Sequence, residues 1–385
     1  MITLPLPRPF VFLLLAWFAP AALAALPPPP PLAAKSWVLM DAASGAVLVN
    51  HQGSVRLPPA SLTKLMTSHV AAMELQRGRL KENDLVLVSE KAWRMGGSKM
   101  FIMVGNQVAV KDLLQGIIVQ SGNDASVALA EHIAGGEDTF AAMMNDEAKR
   151  LGMADTRFVN ATGWPAEGHY SSALDMAKLA RAIILEDPTH YALYKEKEFV
   201  WNGIRQPNRN LLLWRDPSVD GLKTGHTEEA GYCLVASAER NGQRMIAVVF
   251  GTDSEEARSQ ETAKLLGYGF NFFESKVFYR QGEAIQTVDV WKGAASSVKA
   301  GVTSNFAAAL PKRAAGGYQA RVVLTPGDRV APIEKGAALG RVELVDAAGK
   351  VVSQAPLVAL EAVEEGGFFR RMWDGLRLFF RGLFG

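Results

Sequence analysis

A single cysteine in 385 residues excludes a disulfide framework and any thiolate metal cluster. That residue, Cys233, lies in an apolar run and reads as a buried thiol rather than a nucleophile. Histidine is scarce as well: the six present form no ligand-spaced run with cysteine or carboxylates, so no metal and no cofactor is expected. Charge of one sign is also missing. A formal net charge of +2 provides no electrostatic footprint for a nucleic-acid partner. What is plentiful is apolar residues, at 49% of the chain, enough in this length for two domains held by hydrophobic cores alone.

Against this background three short strings stand out, in the order Ser61-Leu62-Thr63-Lys64, Ser121-Gly122-Asn123 and Lys223-Thr224-Gly225. The second and third occur once each. A further Ser-x-x-Lys, Ser296-Ser297-Val298-Lys299, is followed by neither partner string and reads as accidental. Together the three supply a nucleophilic hydroxyl, an amine base, a second hydroxyl beside an amide, and a cation suited to a carboxylate. Those are the parts needed to cleave an amide or β-lactam through a serine ester.

Local context sharpens each string. Leu57-Pro58-Pro59-Ala60 is an extended, proline-stiffened entry that cannot continue a helix backwards, and from Ser61 onward Leu62, Leu65, Met66, Val70 and Met73 recur at helical spacing. Ser61 is therefore expected at a helix N-terminus, with Lys64 one turn on and on the same face. An amine with an ordinary pKa near 10.4 is a poor base at neutral pH; burial or a second cation, with Lys223 as the candidate, would lower it. Ser121-Gly122-Asn123 falls between an apolar helical run, 113–119, and a helix starting near Asp124. Lys223-Thr224-Gly225 opens a strand pattern that resumes at Tyr232.

This set resembles the signature of penicillin-binding proteins and class A β-lactamases. The surroundings are most similar to the low-molecular-mass penicillin-binding proteins, the serine-type D-alanyl-D-alanine carboxypeptidases. The similar stretches are 60–67, Gly97 to Phe101, Phe158 to Gly163, Ser172 to Ala177, Asp220 to Thr227 and Glu261 to Leu266. The resemblance implies an α/β (α+β) transpeptidase fold: an antiparallel sheet flanked by helices, with an inserted helical lobe. It implies Ser61 as acylated nucleophile, Lys64 as general base, and Ser121 as proton relay to the leaving group. Asn123 would hold the substrate amide, and Lys223 and Thr224 the terminal carboxylate. The backbone N–H groups of Ser61 and His226 would hold the oxyanion, and Gly225 is counted with the substrate-binding residues. Arg258 resembles a further carboxylate contact, or else is an exposed helix arginine. The expected partners are the peptidoglycan stem peptide and β-lactam inhibitors. Other activities of the same superfamily, a D,D-endopeptidase or a β-lactamase, stay open, as does a non-catalytic penicillin-recognising sensor or scaffold. For a class A β-lactamase, Glu167 sits roughly where a deacylating glutamate belongs, but the Asn expected four residues on is Ser171.

Residues 1–24 read as a secretory signal: Arg8, then an apolar stretch from Phe10 to Ala19, then Ala22-Leu23-Ala24. A proline-rich spacer (25–32), a catalytic domain (33–276) and a small β-sandwich (277–365) would follow. Within the catalytic domain, hairpins are expected at 37–55 around Ser44-Gly45 and at 232–252 around Asn241-Gly242. In the last segment, 366–385, Phe368, Phe369, Met372, Trp373, Leu376, Phe379, Phe380, Leu383 and Phe384 share one helical face, opposite Arg370, Arg371, Asp374, Arg377 and Arg381. At roughly 1.5–3 kcal/mol per buried side chain, such a helix is suited to lie in a membrane surface behind a Gly366-Gly367 lead-in. The expected location is the periplasm, at the outer face of the cytoplasmic membrane.

Overall fold

The computed structural model describes residues 26–384. The signal-peptide expectation for 1–24 lies outside them. A five-stranded antiparallel sheet organises the first domain, built from β1 (Ser36–Asp41), β2 (Val47–His51), β3 (Val219–Thr227), β4 (Gly231–Arg240) and β5 (Gln243–Thr252) in the order β2-β1-β5-β4-β3. Its strands come from both ends of the domain, and β3 is an edge. Successive residues alternate between two cores. Val38, Met40, Val235, Ile246, Val248 and Phe250 face one; Trp37, Leu39, Leu234, Met245, Ala247 and Val249 face the other. The first core is closed by the inserted helices, among them α1 (Thr63–Gln76), α2 (Asn123–Ala134) and α3 (Ala173–Glu186). The second is closed by α4 (Glu255–Phe272), which starts at Ser254, whose hydroxyl accepts from the Ala257 N–H at 3.0 Å.

The hairpin at 241–242 turns as expected, with both residues at positive φ, 52° and 76°. The first hairpin is shorter than expected. The Asp41 carboxylate accepts from the Ser44 N–H at 2.8 Å, and Gly45 takes φ +73°, so the turn occupies 42–46. The proline-rich segment is not a free spacer. Leu32 is buried in the second core, and the Pro27 carbonyl accepts from the Tyr268 hydroxyl at 2.8 Å.

A second, all-β unit follows without a linker. Phe273–Tyr279 pairs with Phe306–Pro311, and a five-stranded antiparallel sheet runs Gln286–Asp289, Ser297–Gly301, Val351–Ala359, Ala338–Val345, Gln319–Leu324. The boundary expected at 277 instead runs through a strand, because Phe273 packs in the catalytic domain's core while pairing with Pro311.

The chain ends in α5 (Phe368–Phe384). Gly366 is not a loose lead-in: its N–H donates to the Lys292 carbonyl at 2.8 Å, and a Cβ there would meet the Gly293 carbonyl at 2.8 Å. Polar contacts dock α5 on the β unit, through the Asp374 carboxylate on the Lys292 N–H at 2.8 Å and an Arg381–Asp328 ion pair at 3.1 Å. Phe368, Phe369, Met372 and Trp373 are left exposed. Among the described residues no helix is long and apolar enough to cross a membrane.

Candidate active site

The three strings, 60 and 102 positions apart counted from Ser61 to Ser121 and from Ser121 to Lys223, meet at one cleft of about 910 Å³. Ser61, Ser121, Asn123, Thr224, Gly225, His226 and Arg258 line it; Lys64 and Lys223 lie buried directly behind. Ser61 sits in a 3-10 turn, Ala60–Leu62, that leads into α1, so the helix proper begins two residues later than expected. The Pro58-Pro59 entry blocks a longer helix, and Ala60 takes φ +47° to make the turn.

Two glycines allow the pieces to close on this turn. A Cβ at Gly163 (φ +81°) would lie 1.8 Å from the Ala60 carbonyl oxygen. At Gly225 it would lie 3.0 Å from the Pro59 carbonyl oxygen, so a side chain there would crowd the nucleophile turn against which β3 packs.

Lys64 is 1% exposed. Its Nζ stands 3.0 Å from Ser61 Oγ and donates to Asn123 Oδ1 at 2.7 Å and to the Thr162 carbonyl at 2.6 Å. The two carbonyl oxygens can only accept. An amine that has lost one proton therefore keeps N–H toward both and turns its lone pair to the serine hydroxyl. Burial pushes the amine down to about 7, assisted by the Arg209 guanidinium and opposed by Asp124. Arg209 is thus a second cation beside Lys64, additional to Lys223, which is coupled to the same amine. Lys223 in turn is held well below the usual lysine range, first by burial, then by Lys64, Arg209 and Arg258.

Ser121 occupies the left-handed region, φ 67°, at the end of a π-helical turn, Gly116–Gln120, immediately before α2. It is 3% exposed, and its Oγ has no hydrogen-bond partner while facing the cleft. A buried hydroxyl left unpaired at a site is a group waiting for substrate. Beside it, Asn123 Nδ2 donates to the Gly96 carbonyl at 2.7 Å. The neighbouring Asp124 carboxylate accepts from the N–H groups of Met100 and Phe101, each at 2.8 Å, and pins the 96–102 segment over the cleft.

One end of the cleft is cationic. Lys223 and Arg209 have no carboxylate partner among the described residues, and Arg258 approaches only Glu255, at 3.4 Å. Arg258 is 2% exposed, with its guanidinium 5.6 Å from the Tyr232 ring, so it is not an exposed helix arginine. Two guanidinium groups and a buried amine whose charged form they disfavour make a site that an anion would stabilise. Cys233 is buried, and burial raises its thiol to about 11, leaving it unreactive.

Sequence reasoning missed Arg209, Thr162 and His169. Thr162 lies in the similar stretch 158–163, where Asn160 Oδ1 gathers the N–H groups of Thr162 and Gly163 and orients the carbonyl that meets Lys64. His169 Nδ1 accepts from the Val159 N–H at 3.1 Å, which leaves Nε2 to donate to Thr63 Oγ1 at 2.8 Å. Burial and Lys64 push its pKa down to about 4, so it ties this loop to α1 as a neutral ring.

Comparison with known proteins places the chain. Residues 23–254 match the family model for D-alanyl-D-alanine carboxypeptidase. The chain belongs to the D-alanyl-D-alanine carboxypeptidase family. Residues 273–365 match the model for the penicillin-binding protein 5 C-terminal domain. It is 43% identical to the Escherichia coli D-alanyl-D-alanine carboxypeptidase DacC, over 98% of this chain and 95% of the relative. To the Bacillus subtilis carboxypeptidase DacF it is 39% identical, with 87% of each chain covered. The solved penicillin-binding protein 5 from Haemophilus influenzae superimposes with a TM-score of 0.80 at 41% identity, covering 88% of this chain and 99% of that one. As in this family, the expected antiparallel sheet with helices and a following all-β domain is what the chain forms.

Proposed function

We propose that this protein is a serine-type D-alanyl-D-alanine carboxypeptidase acting on peptidoglycan stem pentapeptides. The observation that carries the reading is the Lys64 amine, lowered to about 7 by burial and held 3.0 Å from Ser61 Oγ by two acceptor-only carbonyls. Neutral Lys64 takes the Ser61 proton as Oγ attacks the carbonyl between the two terminal D-alanines. The proton passes by way of Ser121 to the leaving nitrogen, the C–N bond breaks, and D-alanine departs. Water then attacks the ester, returning Ser61 and releasing the tetrapeptide.

Removal of one terminal residue, rather than internal cleavage, follows from the cationic end of the cleft. Lys223, Arg209 and Arg258, with Thr224, suit a free carboxylate, whereas an internal peptide bond brings no negative charge to pair with them. Glu167 lines a neighbouring cleft and not the one holding Ser61, so it supports no β-lactamase reading. The test is D-alanine release from a diacyl-lysyl-D-alanyl-D-alanine peptide, measured beside the lifetime of the penicillin adduct. Release with a long-lived adduct is expected. Rapid penicillin hydrolysis would mean a β-lactamase, and neither activity a sensor.

The same reading includes export and attachment to the outer face of the cytoplasmic membrane by α5, supported by its exposed Phe368, Phe369, Met372 and Trp373 beside arginines. Removing 368–385 should move the protein into the soluble fraction; unchanged membrane association would refute the anchor.

A further inference from the structure

A second cleft, of about 600 Å³, opens beside the first and shares with it Gly163, Trp164, Pro165, Thr227 and Glu229. Beyond that shared mouth its walls are the nucleophile entry, Arg56 to Ala60, and the loop Ala166 to Tyr170. We propose that this second cleft is the subsite for the upstream arm of the stem peptide, with Trp164 as the specificity-determining contact at the junction. The inference rests on the carboxypeptidase reading and gives its substrate a direction.

The direction follows from β3, which borders the first cleft. Thr224, at the cationic end, belongs with the terminal carboxylate, and Ser61 and His226 with the scissile carbonyl. Each strand residue advances about 3.3 Å. The acyl side of the substrate, continuing the same way, runs past Thr227 toward Glu229, where the second cleft begins. Three extended residues upstream of the penultimate alanine reach about 10 Å, enough to pass the junction and enter it.

Trp164 stands at that crossing. Its indole is 49% exposed and lies over a glycine pair: a Cβ at Gly96 would sit 3.2 Å from Cη2, and one at Gly97 3.2 Å from Cζ3. The Gly97 position also abuts Asn123 Nδ2, at 2.9 Å. The ring is thus seated on backbone beside the amide that would hold the substrate, with its free surface turned to both clefts. A large half-exposed aromatic fixed on one face is a platform for a peptide chain, not core filler. In the second cleft the Arg56 guanidinium is already engaged, by Asp155 at 3.1 Å and over the Tyr170 ring; aromatic and proline surface, with the Glu167 and Glu229 side chains, is what meets the ligand.

The test compares two substrates of the full-length protein: a five-residue stem peptide ending in D-alanyl-D-alanine, and an N-acyl-D-alanyl-D-alanine dipeptide that ends before the junction. The readout is the ratio of their kcat/KM values for D-alanine release. Trp164→Ala should lower that ratio about tenfold, the scale of one aromatic contact. Ala166→Trp, which fills the second cleft from an exposed position, should lower it in the same sense. An unchanged ratio in both variants would overturn the subsite. Failure of the unaltered protein to release D-alanine from either substrate would instead overturn the activity itself, and the subsite with it.

Discussion

The string Ser-x-x-Lys occurs in both domains, and the two copies share nothing but composition. At 61–64 it spans the junction of a 3-10 turn and α1, where residues three apart share a face and Nζ reaches Oγ at 3.0 Å. At 296–299 it enters the strand Ser297–Gly301, where residues three apart point to opposite faces, and Ser296 and Lys299 are both exposed. The first copy is also roofed by an amide and a loop from 59 and 98 positions away. Chemistry here belongs to the enclosure, and the four residues are only its raw material.

Substitutions can sharpen or break that contrast. The largest effect is expected from Ser61→Ala, which should abolish penicillin acylation and lower D-alanine release by about 10⁴–10⁶-fold. Ser296→Ala should leave both rates within error. Next, Lys64→Ala should slow acylation by roughly 10²–10⁴-fold, against no change for Lys299→Ala. Near-normal acylation in the first variant would remove Lys64 as base.

Enclosure itself is tested through the glycines. Gly163→Ala places a methyl against the Ala60 carbonyl at positive φ and should cost about 3 kcal/mol or more in denaturant unfolding. Gly349→Ala, in an open turn of the β unit at φ +77°, should cost only ~1–2 kcal/mol. The smallest effect is on the pH profile. The neutral amine is the reactive form, so acylation should be slow below pH 7, rise through about 7 and level off above. Because Arg209 helps hold the amine low, Arg209→Gln should move that midpoint upward. A midpoint that stays put would leave burial as the whole cause.

Much of this was legible beforehand where the cause is local. The Asn241-Gly242 hairpin, the helices either side of Ser121-Gly122-Asn123 and the two-faced tail each follow from turn chemistry or periodicity within a few residues. The domain boundary was not, because Phe273 serves a core on one side and a strand pair on the other. Arg209 was missed for a similar reason. It sits between two asparagines in an irregular stretch, and nothing near it in sequence marks it as facing Lys64.

The sequence by itself determined which side chains this protein can use, their order, and the elements that carry them, because propensity, spacing and turn preference act over short distances. Only the tertiary structure decided that one lysine of the eighteen becomes a base while its look-alike stays an ordinary surface charge. Proton affinity depends on lost solvent and on charges delivered from elsewhere in the chain, and neither is written in a spacing.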